Sequence, residues 1–209
     1  GCAFCAIAAL CIFLSSNYDR EKRRYLILME SFASLLLLMD AMAHIFSGYP
    51  GVPGSVMVRI SSFLVFLLSD VVLLCFHIYV CVYLFSKRER RTLKRVKAGY
   101  VIAAAEVAFV VISQFTHWHY YIDGDNCYHR APLYIMSILL SAAGLLIDLT
   151  LLLQYKKRVS RKLLFSMLSC IVLPAVAAAV QAFWYGISLI EFSVGISMII
   201  MFIVTMTEL

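Results

Sequence analysis

Lys87-Arg88-Glu89-Arg90-Arg91-Thr92-Leu93-Lys94-Arg95-Val96-Lys97 carries seven cations in eleven residues and lies between two long apolar runs. A stretch of this kind stops a membrane-spanning helix and stays on the cytoplasmic side. Two further clusters match it. Arg20, Lys22, Arg23 and Arg24 precede it, and Lys156, Lys157, Arg158, Arg161 and Lys162 follow. Together the three hold 16 of the 18 Lys and Arg residues, while the intervening gaps carry only Arg59 and Arg130. Cations in every second gap fix both the number and the direction of the crossings. The expected fold is an all-α membrane protein, a bundle of seven transmembrane helices with its N-terminus outside and its C-terminus cytoplasmic.

Composition agrees with that reading. Hydrophobic residues make up 63% of the 209 and charged residues 14%. Soluble domains average about 50% and about 25%. The formal charge of +6 does not indicate nucleic acid, whose partners spread their cations over one face. These lie at helix ends, where anionic lipid headgroups meet them. The lipid bilayer is the first partner implied.

Window hydropathy places the spans at residues 1–16, 25–46, 56–85, 96–116, 132–155, 163–185 and 188–206. They form a single seven-helix domain over residues 1–209. Ser47-Gly48-Tyr49-Pro50-Gly51-Val52-Pro53-Gly54 is expected to stop the second and third spans. The third, at about 30 residues, must tilt or project. Pro174 removes a backbone bond from the sixth and makes it a hinge. The loop 117–131 carries Trp118, Tyr120, Tyr121 and Tyr128 as an aromatic interfacial belt. The first apolar run, Cys2 to Leu14, falls short of the roughly 20 residues of a span. Residues before Gly1 are therefore expected, and, since Thr207-Glu208-Leu209 stands where the last helix reaches the cytoplasm, so is a cytoplasmic domain after Leu209. The seven cysteines show neither metal nor disulfide spacing.

Ionisable groups inside a bilayer cost about 2.5 kcal/mol or more each and need a partner, a proton or water. Asp40 and His44, four apart on the second span, share a face. They read either as half of a ligand pocket or as a helix-end pair. Asp70 and His77 on the third span and Glu106 on the fourth read as interhelical hydrogen bonds or as an ion relay. Asp148 is expected to bridge to the basic loops. Arg59, Gln114, Arg130, Gln181 and Glu191 map to the outside ends of their helices, as do His117 and His119. This makes the outer half of the bundle its polar half and the place for a ligand with both charges or several hydrogen-bonding groups. His117-x-His119 with His129 is too loose a spacing to assign a metal. There is no cofactor motif, no lysine in the last span for a retinal Schiff base, and no catalytic constellation.

Tyr120-Tyr121-Ile122-Asp123-Gly124-Asp125-Asn126-Cys127-Tyr128-His129-Arg130 resembles the stretch between the fourth and fifth helices of a bacterial seven-helix sensor region. Leu173-Pro174, Gln181, Tyr185-Gly186-Ile187-Ser188-Leu189 and the run to Glu208 are similar to its last two helices, and Leu38-Met39-Asp40-Ala41 also fits. Such regions stand N-terminal to diguanylate cyclase or histidine kinase domains in the bacterial inner membrane. The resemblance implies an input module that detects a small-molecule or peptide signal. It would transmit the signal through its last helix to a homodimeric output domain. It makes Asp40, Asp123, Asn126, Tyr128, Arg130, Gln181 and Gly186 candidate sensing or loop-ordering residues. A small proton- or ion-coupled transporter using Asp70 and Glu106 is the alternative.

Overall fold

Asp19 turns its carboxylate onto the backbone N–H groups of Glu21 and Lys22, at 3.0 and 3.2 Å, and so starts helix α2 (Arg20–Phe46). Side-chain capping at this point is a standard helix start. It builds the first cationic cluster into the helix, five residues before the expected boundary at 25. Helix α3 (Gly51–Leu84) likewise begins five residues before the expected 56. Pro53 does not stop it, because in a first turn its missing N–H would have had no helical partner. Gly48 and Gly51, with φ of +73° and +87°, make the turn between α2 and α3.

The computed structural model describes residues 1–14, 19–183 (backbone only at 182) and 188–208. Before α2 stands α1 (Cys2–Leu14). After α3 follow the short α4 (Lys87–Thr92) and α5 (Lys94–Thr116), a hairpin of β1 (Tyr120–Ile122) and β2 (Tyr128–Arg130), then α6 (Tyr134–Gln154), α7 (Arg161–Phe183) and α8 (Leu189–Thr207). Apart from the starts of α2 and α3, the helices begin and end within two residues of the hydropathy boundaries wherever both ends are described. The expected ends at 16 and 185 lie outside the described residues.

Among the described residues six helices are long and apolar enough to cross a membrane: α2, α3, α5, α6, α7 and α8. Helix α1 has 13 residues. The protein is a multi-pass membrane protein of the all-α class. Helix α3 is central, packed on α2, α5 and α6, while α8 lies against α7, α2 and α1.

The two ends of the bundle differ in chemistry. At one end the cationic clusters are knitted together. Arg90 donates to Glu21 at 2.8 Å, Arg158 to Glu89 at 3.1 Å and to the Leu84 carbonyl at 2.8 Å, and Arg95 to Gln154 at 2.8 Å. Ser160 Oγ donates to the Glu208 carboxylate and ties the end of α8 to the start of α7. Toward this cationic end Leu26, Met29, Tyr79, Leu152, Met167 and Met201 are wholly enclosed in an apolar cluster. Polar side chains collect at the other end, under the hairpin.

Candidate functional site

At the hairpin end, helix periodicity aims one face of each element at a common space. Asp40, Ala43, His44 and Ser47 lie on one face of α2, and Ser62, Val65 and Phe66 on one face of α3. Tyr128 and Arg130, two apart on β2, share a strand face. Tyr134 of α6, Gln181 of α7, and Ser188 and Glu191 at the start of α8 close the ring. The space is a cavity of about 300 Å³. That is the lower end of the range for ligand pockets, about 300–1,000 Å³.

Hydrogen bonds tie its walls across the bundle. Ser188 Oγ donates to Asp40 Oδ1 at 2.8 Å and lies 2.6 Å from His44 Nε2. Because the Ser188 proton goes to Asp40, His44 donates to Ser188 from Nε2. Asp40 and His44 are thus joined through Ser188 and also face each other directly, 3.7 Å apart. Gln181 Oε1 accepts the N–H of Ile190 at 3.0 Å, and its carbonyl accepts Arg130 Nη1 at 3.4 Å. The Arg130 guanidinium lies over the Tyr134 ring, 4.8 Å from its centre. Glu191 is 8% exposed, and its Oε2 has no hydrogen-bond partner. The first turn of α8 is thus held by α2 on one side and α7 on the other.

Asp123 and Asn126 do not enter the cavity; they fold the hairpin above it. Asp123 Oδ1 accepts the N–H groups of Asp125 and Cys127 at 3.0 and 2.8 Å, and Oδ2 meets His129 Nε2 at 2.7 Å. The Cys127 amide, then His129, hold the Asp123 carboxyl below the usual carboxylate range. Asn126 takes the left-handed conformation at φ +60°. Its side chain donates to the Tyr49 carbonyl and its own carbonyl accepts Gly48 N–H, both at 3.0 Å, so the hairpin is latched to the turn between α2 and α3. Gln114 receives the Tyr120 hydroxyl at 3.2 Å and anchors β1. Arg59 lies exposed on α3, away from the cavity.

The aromatic belt is only half as expected. Trp118 and Tyr121 are exposed, but Tyr120 and Tyr128 turn inward onto Phe66. His119 joins them, fully enclosed by Phe66, Phe109, Tyr120 and Tyr134, with the Tyr134 ring stacked 5.2 Å away. Neither of its ring nitrogens has a hydrogen-bond partner. Burial pushes its pKa from 6.5 down to about 4. His117 caps α5 in a left-handed conformation and His129 pairs with Asp123, so the three histidines face different ways. Among the described residues no group of three or more His, Cys, Asp or Glu could hold a metal.

Deeper in the bundle, His77 Nδ1 lies 2.6 Å from Asp148 Oδ1 and Nε2 lies 3.1 Å from the Val96 carbonyl. The carbonyl can only accept, so Nε2 carries a proton and the pair shares the other. Asp148 therefore bridges to α3 and not to the basic loops as expected: at 3% exposure it sits on the face of α6 turned inward. Gly99 makes the approach possible, since a Cβ there would enter the His77 ring. Asp70 and Glu106, each 4% exposed, keep one oxygen without a partner, and Glu106 reaches Ser141 with the other. Glu106, Ser141, His77 and Asp148 line a void of about 20 Å³. A void of that size has room for one water.

Sequence reasoning missed Ser188, Phe66, Tyr134 and Glu30. Glu30 is wholly enclosed on α2 beside the Cys5 thiol of α1, and a lone acid among Leu and Met was its available signal. Tyr185 and Gly186, part of the resemblance, lie outside the described residues. Pro174 lies within α7, which continues past it to Phe183.

No family model, curated protein or solved structure matches the chain.

Proposed function

We propose that the chain is the input module of a bacterial inner-membrane sensor, with seven crossings, the N-terminus outside and the C-terminus in the cytoplasm. Its hairpin-end cavity faces the exterior and takes a small-molecule signal. Its last helix passes the response to a cytoplasmic diguanylate cyclase or histidine kinase domain in a homodimer. The observation that carries this reading is the convergence of Asp40, His44, Tyr128, Arg130, Gln181 and Glu191 on one cavity. The start of α8 forms part of its wall. Alternating cationic gaps support the orientation, and the resemblance of the 120–130 stretch and the last two helices supports the class of output.

The mechanism uses α8 as a rigid rod. Ser188 and Gln181 grip its first turn. A ligand that competes for Asp40 or Gln181 changes that grip. The change is passed along α8 to Glu208, where Ser160 holds the far end. Helix shifts of about 1–2 Å suffice for switching of this kind. Pro174 leaves the Cys170 carbonyl without its helical donor and gives α7 a place to bend.

Transport is the second reading, favoured by the unpartnered oxygens of Asp70 and Glu106. One comparison decides between the two. In the full-length sensor, Asp40→Asn, Arg130→Ala and Gln181→Ala are each expected to lock the output high or low. Output unchanged by all three, under conditions that normally alter it, sinks the cavity reading. Proton flux through the chain in liposomes, abolished by Asp70→Asn, would put transport in its place.

A further inference from the structure

The cavity walls carry an excess of negative charge. Asp40 and Glu191 are formally anionic, Arg130 is cationic, and His44 commits its Nε2 proton to Ser188. Leaving the imidazole aside, two carboxylates face one guanidinium, a formal sum of −1. Arg130 is turned onto the Tyr134 ring and the Gln181 carbonyl. Glu191 Oε2 has no such partner, although it is buried and its residue lines the cavity. An unpaired buried acceptor of this kind costs free energy until a donor reaches it. A carboxylate ligand would add a third anion; an ammonium supplies three N–H donors and cancels the excess. The remaining wall agrees. Phe66 and Tyr128 line it with aromatic rings, which attract cations and pack against flat apolar groups.

We infer that the cavity binds a small primary amine, its ammonium on the Glu191 and Asp40 carboxylates and its organic part against Phe66 and Tyr128. This rests on the reading of the cavity as a ligand site. The first turn of α8 then becomes part of the recognition, because Glu191 lies one helical turn from Ser188.

The test uses three probes that share a phenol ring: tyramine with an ammonium, 3-(4-hydroxyphenyl)propionate with a carboxylate, and tyrosine with both. Binding to the chain in lipid nanodiscs is measured by calorimetry. Tyramine is expected to bind at least about tenfold more tightly than the propionate, and Glu191→Gln to weaken tyramine by about tenfold or more. The melting temperature of Glu191→Gln without ligand shows that the variant is folded. Propionate or tyrosine binding as tightly as tyramine would overturn the amine inference and leave the cavity reading standing. Tyramine binding unaffected by Glu191→Gln, in a folded variant, would overturn it as well, since the site would lie elsewhere. No binding by any probe at millimolar concentration also overturns it, and the output variants then decide the cavity reading by themselves.

Discussion

His119 shows how a residue's surroundings decide its chemistry. Its ring is enclosed by four aromatic residues and has no polar partner, so the folded protein holds it neutral down to about 4. The unfolded chain takes up that proton near 6.5. Between these values the unfolded state binds more protons, so stability falls as the pH is lowered. The contribution is complete above 6.5, shrinks as the pH drops through the window, and amounts to an order of 3 kcal/mol. His119→Phe is expected to flatten that slope of melting temperature against pH between 6.5 and 4; an unchanged slope would show that His119 is not its source. The sequence places His119 in the right loop but not in its cage. A histidine two residues from another suggests an interfacial pair, and only the hairpin register, Tyr120 opposite Arg130, shows which way its neighbours turn. Phe66 and Tyr134 were illegible for another reason. Apolar side chains in apolar helices carry no mark that separates a pocket wall from a lipid-facing or core position.

At the scale of elements, window hydropathy identified the long helices, whereas their ends depended on local capping that hydropathy cannot register. Asp19 drew the cationic cluster into α2, and the position of Pro53 in a first turn let α3 begin early. Pairing between helices was legible only in part. Asp148 was recognisable as a buried acid, but its neighbour depends on how α6 is rotated against α3, which no spacing within one helix contains. The His77–Asp148 contact is the polar link between these helices, and it predicts an asymmetry. His77→Ala is expected to cost about 3–5 kcal/mol, because it leaves a carboxylate buried without a counterpart. The double replacement His77→Leu with Asp148→Leu should recover most of that loss. Unfolding in a graded detergent series measures both, and a double variant as unstable as the single one would mean that the pair holds the fold rather than itself.

For the molecule as a whole, three cationic clusters give the alternation of the chain, and the structure gathers them at one end. The opposite end collects the polar side chains around a cavity, and α8 connects the two. Seven of the ten residues read from the sequence as ligand candidates were expected at this end from their depth: Asp40, His44, Arg59, Gln114, Arg130, Gln181 and Glu191. Depth could not distinguish Arg59, outside the cavity, from Arg130, which lines it. The central claim is that the grip on the first turn of α8 sets the position of its far end. It is tested by a distance between spin-labelled residues at 153 on α6 and 203 on α8, both exposed near the cationic end, measured by pulsed electron resonance in nanodiscs. Ser188→Ala releases α8 from Asp40 and His44 without adding bulk. The account predicts that the distance shifts by about 1–2 Å relative to the unsubstituted chain. An identical distance distribution, in a variant whose first turn has demonstrably loosened, would contradict it: α8 would then be anchored from its cationic end and could not carry a signal from the cavity.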